Sequence, residues 1–181
     1  MLLHKVKDIC DVTRMMSIKA FMKEDNVDNS QFAEAAERYM DTIYRIAYSW
    51  LRNADDANDI TQDVLMKLYR TENSFQSEEH LRNWLIRVTV NACKSFFRAP
   101  WHKEDDIEKY AESLHFEQPD YRELFEAVMK LDRKYRVPLM LFYFDGYSTR
   151  EIAGLLGISE NTVSTRLSRA RAKLKMYLEE V

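Results

Sequence analysis

The chain has 181 residues, 46% of them hydrophobic, a formal net charge of −3, and only three glycines and three prolines. That composition supports one large or two small globular cores, and it excludes a hairpin-rich β protein, which would need more turn residues. Cys10 and Cys93 exclude a disulfide framework or zinc ribbon, the scattered His4, His80, His102 and His115 show no metal-ligand spacing, and no apolar run approaches the roughly 20 residues that cross a bilayer.

Residues 1–30 carry charges of both signs that cancel, so they are no secretory signal, and a reduced cytoplasmic setting is predicted. Residues 31–98 carry net −1, residues 101–120 net −5 and residues 121–181 net +3. The acidic excess is confined to one short segment. A basic C-terminal part therefore remains available to nucleic acid despite the negative total.

In chain order, residues 1–30 form an N-terminal extension with no clear period, read as a loose helix or disorder. Met15, Met16 and Met22 are further potential translation starts within it. From Gln31 to Arg52 a helical period places Phe32, Ala36, Tyr39, Ile43, Ile46, Ala47 and Trp50 on one face. Asn53 and the pair Asp55–Asp56 start a second helix, acidic at the positive end of its dipole. Ala57, Ile60, Val64 and Leu68 point to its core, while Asp59, Gln62, Asp63 and Met66 line the other side. Such a stripe is ordinarily a solvated face, and it is also a plausible protein docking surface.

A polar loop around Phe75 leads to a third helix, from about Glu79 to Arg98, with Leu81, Leu85, Val88 and Ala92 as its core stripe. Asn83, Arg87, Asn91, Lys94 and Arg98 fall within about 80° of arc at about 100° per residue. Cations there can hold phosphates and amides can read base edges, with Trp84, Phe96 and Phe97 nearby, although Trp84 reads best as core. Pro100 closes a domain spanning 31–100, and residues 101–120 are an acidic linker ended by Pro119. The second domain covers 121–181. Leu124, Phe125, Val128 and Leu131 bury its first helix. Asp132 is placed to cap the next, in which Leu139, Leu141, Phe142 and Phe144 face inward, Pro138 predicts a kink or late start, and Gly146 ends the run.

The segment STREIAGLLGISENTVSTRLSRARAKLK, residues 148–175, reads as two helices about a tight turn. Ser148 and Glu151 form a capping-box pattern, Gly157 suits a left-handed turn residue, and Ser159 can cap the second helix. Val163, Leu167, Ala170, Leu174 and Leu178 make one stripe of that helix, and Thr162, Arg166, Arg169 and Lys173 another. Five basic residues and one acidic lie between Glu160 and Lys175. A basic, hydroxyl-bearing helix behind a glycine turn is what major-groove reading requires. No nucleophile–base constellation, phosphate-cradling glycine loop or carboxylate pair is present, so the sequence points away from an enzyme, with no cofactor, metal or small-molecule substrate.

Three long segments in this order carry a family resemblance: YMDTIYRIAYSWLRNADDANDITQDVLMKLY, SFQSEEHLRNWLIRVTVNACKSFFR and LDRKYRVPLMLFYFDGYSTREIAGLLGISENTVSTRLSRARAKL. Together they resemble the sigma-70 family of bacterial RNA polymerase initiation factors, in particular its compact extracytoplasmic-function group. The resemblance implies an all-α chain of two small domains, a three- or four-helix region 2 domain and a region 4 helix-turn-helix domain, joined by the acidic linker. It implies that the protein binds core polymerase, recognises −10 and −35 promoter elements and directs initiation, with an anti-sigma factor as a further partner and no membrane insertion. Asp59, Gln62, Asp63 and Met66 correspond to the polymerase-docking surface. Phe75, Asn83, Arg87, Asn91 and Lys94 correspond to the part that captures the unpaired −10 strand. Thr162, Thr165, Arg166, Arg169 and Lys173 correspond to the −35 reader. Ile86 stands where the family often has a Tyr. A stand-alone helix-turn-helix regulator is the alternative reading, and it leaves the surfaces at 57–98 without a purpose.

Overall fold

The computed structural model describes residues 27–71, 75–97, 106–107, 110–111 and 119–179. The expectations for residues 1–26, for Arg98 and for most of the acidic linker lie outside these residues. Seven helices are described: α1 (Val27–Leu51), α2 (Ala54–Arg70), α3 (Glu78–Phe96), α4 (Pro119–Lys130), α5 (Arg133–Tyr143), α6 (Thr149–Leu156) and α7 (Glu160–Glu179). The first three pack together, as do the last four.

Helix α1 begins before the predicted Gln31 and stops where Arg52 takes a left-handed φ of 53°. Its predicted inner face is buried from Ala36 onward, but so are Met40, Tyr44, Tyr48 and Leu51. A helix apolar on nearly all sides is covered on two sides. Here α2 and α3 pack on one and α5 on the other. At the start of α2 the Asn53 side chain accepts from the Asp56 amide at 2.9 Å. Ala57, Ile60, Val64 and Leu68 are buried as their spacing predicts.

The expected core stripe of α3 is corrected. Leu85 is buried, but Leu81, Val88 and Ala92 are only half-buried, and the deep positions are Leu85, Ile86, Thr89, Val90 and Cys93. Thr89 explains the rotation. Its hydroxyl donates to the Leu85 carbonyl at 2.8 Å, so a residue that looks polar in sequence packs with its polar group satisfied.

Helix α5 starts at Arg133, so Pro138 does not delay it, and Asp132 makes no side-chain capping bond. The Asp132 backbone carbonyl instead accepts from the Tyr135 and Arg136 amides. Every residue from Tyr135 to Leu141 is buried, whereas Phe142 and Phe144 are half-buried. The helix is sandwiched between α1 and α7, which leaves the apolar residues after Leu141 at the margin of the core.

The helix-turn-helix follows its sequence signals closely. Ser148 and Glu151 form the reciprocal capping box, Gly157 sits at φ 72°, and the Ser159 hydroxyl accepts from the Thr162 amide. Val163, Leu167, Ala170 and Leu174 are buried and Leu178 is half-buried. Ser148→Ala removes one orphan-amide acceptor at the start of α6, and thermal or urea unfolding will show a loss of about 1 kcal/mol. Hydrogen bonds from Ser148 hold the Glu151 carboxyl below its usual 4.5. Because the folded pKa is depressed, this contribution is present above that value and is lost as pH falls through the folded pKa.

Candidate polymerase and nucleic-acid interfaces

Three surfaces follow from this packing. On α2, Asp59, Gln62 and Asp63 are exposed and Met66 is half-buried. They lie on one side because burial of Ala57, Ile60, Val64 and Leu68 turns the helix that way. The result is an acidic–amide patch on a rigid helix.

The second surface is split. Phe75 is half-buried, edge-on to Trp84 with ring centroids 5.4 Å apart and to His80 at 5.6 Å. Beside it is a cavity of about 240 Å³ bordered by Arg38, Tyr39 and Glu78. The Arg38 guanidinium, hydrogen-bonded at 2.6 Å, holds the Glu78 carboxyl below the usual carboxylate range. Trp84 is half-buried rather than fully core. Arg87 and Asn91 are exposed on α3. Asn83 and Lys94 are not. The Tyr147 hydroxyl donates to Asn83 Oδ1 at 2.6 Å, and Lys94 Nζ donates to the Leu155 carbonyl of α6 at 2.8 Å. Ile86 is 1% exposed, so the position offers no surface for stacking and its side chain belongs to the core.

The third surface is α7. Thr165 and Arg169 are exposed, while Thr162, Arg166 and Lys173 are half-buried. Thr165 back-bonds to the Asn161 carbonyl at 2.8 Å, and the hydroxyls of Thr162 and Ser159 are 2.8 Å apart. Lys173 Nζ sits 5.9 Å from the centre of the Tyr135 ring. Arg166 borders a cavity of about 410 Å³ together with Trp50, Arg133, Pro138 and Leu156. Of the four stripe residues Thr162, Arg166, Arg169 and Lys173, only Arg169 is exposed.

Several residues that sequence reasoning did not single out join the two helical groups. Arg45 of α1 pairs with Asp145 at 2.9 Å, the two side chains being 17% and 1% exposed. Arg82 of α3 donates to the Asp145 carbonyl and lies 5.0 Å from the centre of the Tyr147 ring. Burial pushes the Asp145 carboxyl up against the opposing pull of Arg45, and burial pushes the Tyr147 phenol up to about 12. The one signal available in sequence is Arg45 itself, a lone cation in the nearly all-apolar second half of α1.

Residues 35–102 match the family Sigma-70 region 2 and residues 121–174 match Sigma-70, region 4. The chain is 30% identical to ECF RNA polymerase sigma factor SigM of Mycobacterium tuberculosis, across 83% of this chain and 79% of that one. The chain belongs to the extracytoplasmic-function group of sigma-70 family RNA polymerase sigma factors. Another similar relative is ECF RNA polymerase sigma factor SigW of Bacillus subtilis, 28% identical over 92% of this chain and 99% of its own. The fold of this sigma factor is shared with the sigma factor RpoE in its complex with the anti-sigma factor NepR from Bartonella quintana. That match has a TM-score of 0.63 and 23% identity, and covers 82% of this chain and 97% of that one. It is shared also with CnrH in its complex with the cytosolic domain of CnrY, at a TM-score of 0.59 and 23% identity over 97% and 98% of the two chains. This sigma factor recognises promoters on behalf of RNA polymerase. A stand-alone helix-turn-helix regulator has no use for a region 2 spanning residues 35–102.

Proposed function

We propose a division of labour among named residues. Asp59, Gln62, Asp63 and Met66 dock core RNA polymerase. Phe75, Asn83, Arg87, Asn91 and Lys94 hold the unpaired −10 strand, and Thr162, Thr165, Arg166, Arg169 and Lys173 read the −35 duplex. The observation that carries this reading is that each set lies on one helix face, or on one helix and its adjoining loop, within the matched region where that task belongs. The functional units are residues 31–100 and 121–181, tethered by the acidic segment 101–120.

The chemistry is positional rather than catalytic. Cationic contacts to phosphate give salt-dependent affinity, while base-edge contacts in the major groove give specificity. Bases that leave the duplex gain contacts with α3 and the Phe75 ring, offsetting the few kcal/mol that unstacking costs. The protein works in the cytoplasm beside polymerase and DNA, consistent with the lack of any helix among the described residues long and apolar enough to cross a membrane. An anti-sigma factor is its expected regulator, a reading supported by the two fold relatives solved with such partners.

Promoter-dependent run-off transcription with purified core polymerase tests the whole reading. Discrete new start sites that appear only with this protein are expected, and core binding without any starts across a broad fragment library would defeat the promoter assignment. For the docking surface, Asp63→Lys is expected to weaken core binding roughly fivefold, mainly through slower association. Unchanged binding, with the helical signature intact, would remove Asp63 from that surface.

A further inference from the structure

The cavity beside Arg166 collects unpaired positive charge. Its volume of about 410 Å³ lies within the range of small-ligand sites, and Trp50, Val137, Pro138, Leu156 and Ile158 give it an apolar wall. Arg133, Lys134 and Arg166 border it against a single acid, Asp132. None of the three cations makes an ion pair or a hydrogen bond among the described residues. Arg133 is nevertheless held in place, its guanidinium carbon 3.7 Å from the centre of the Phe97 ring and 5.7 Å from that of Trp50. The cavity also meets the start of α5, where Asp132 makes no side-chain capping bond and leaves the positive end of the helix open. Its walls are preformed. Helix α1 packs on α5, and the buried Arg136 of α5 donates to the carbonyl of Ser49, the residue before Trp50.

We propose that this cavity binds a nucleoside phosphate, with the phosphate at Arg133, Lys134 and the start of α5 and the base against the apolar wall. Three cations against one carboxylate leave the rim at net +2, which suits a phosphate better than a singly charged carboxylate. The aromatic and aliphatic wall offers a planar base an apolar surface to cover. Because Arg133 is already ordered against two rings, little side-chain freedom is lost on binding. A DNA duplex fits the recess less well, since its backbone can reach the rim cations but leaves the apolar wall uncovered. Bound phosphate also draws Arg166 away from the −35 duplex, a consequence that rests on the assignment of Arg166 to that duplex. Nucleotide and promoter then compete for one side chain.

The test is calorimetric titration of the full chain with guanosine, adenosine and cytidine 5′-diphosphates, and with the nucleosides and inorganic phosphate as the separated halves. Saturable binding of at least one diphosphate is expected, with its nucleoside and inorganic phosphate each about tenfold weaker or more. Arg133→Ala with Lys134→Ala is expected to weaken it about tenfold. Both residues are exposed, and circular dichroism confirms that the helices persist. Asp132→Asn removes the one acid from the rim and is expected to tighten binding, a gain that a damaged fold cannot produce. No binding of any diphosphate, or binding unchanged in the folded Arg133 and Lys134 variant, would overturn the site. Weaker duplex binding by that variant, with no nucleotide bound by the unaltered chain, would instead assign these cations to the DNA backbone. At saturating diphosphate, affinity for a −35 duplex is expected to fall about tenfold. Undiminished duplex affinity beside a saturated cavity would leave the site standing and overturn the assignment of Arg166 to the −35 duplex.

Discussion

Arg136→Met will cost about 3–5 kcal/mol of stability, the largest loss expected of any single polar substitution in this chain. Arg136 is 1% exposed. Its Nε donates to the Ser49 carbonyl at 2.7 Å, and one terminal nitrogen donates to the carbonyls of Met129 at 2.9 Å and Leu131 at 2.7 Å. These acceptors sit at the C-terminal ends of α1 and α4, where backbone carbonyls lack intrahelical partners and the helix dipoles place negative charge. One guanidinium thus satisfies orphan groups from two helix ends. Methionine fills much of the space but leaves three carbonyls buried without this donor. Lysine keeps the charge but not the fork, so Arg136→Lys should recover only part of the loss. Urea unfolding measures both, with a lower midpoint and an unchanged slope. A loss under about 1 kcal/mol for Arg136→Met would mean that water replaces the guanidinium at those carbonyls.

The contrast between Arg136 and Ser148 explains what was legible in the sequence. Ser148, Glu151, Gly157 and Ser159 act within a few residues of themselves, so spacing alone predicts the caps and the turn. The inner faces of α2 and α7 were equally readable, because each buries a single stripe. Helix α5 was not, because periodicity reveals one apolar face and cannot announce that a second group of helices covers the opposite one. Arg136 consequently reads as an ordinary surface cation in RKYRVP. Asp145 and Tyr147 read as turn residues, and Asn83 and Lys94 as part of an open polar stripe, for the same reason: their partners lie 61 to 100 residues away. The core stripe expected of α3 leaves out Thr89, whose polarity is cancelled locally by the Leu85 carbonyl.

Arg169→Ala is expected to weaken binding to a −35 duplex by about 1–3 kcal/mol, and to do so selectively, with the loss concentrated at one base pair. Among the stripe residues of α7, Arg169 is the one best placed for this. Lys173 lies against the Tyr135 ring, Arg166 borders the cavity beside Trp50, and the Thr162 hydroxyl is engaged with Ser159. Arg169 is exposed and makes no hydrogen bond or ion pair among the described residues, so it enters a groove without first breaking an internal contact. Arginine reads guanine through two parallel bonds, which a lysine cannot reproduce, so Arg169→Lys should lose most of the discrimination while keeping the salt dependence. A phosphate contact would behave in the opposite way. Arg169→Ala would then weaken every sequence alike and lower the salt slope by about one, while Arg169→Lys would be nearly silent. Titrating these variants against matched and singly substituted duplexes at several salt concentrations separates the two roles. Selectivity lost in both variants, with affinity kept by lysine, identifies Arg169 as the base reader.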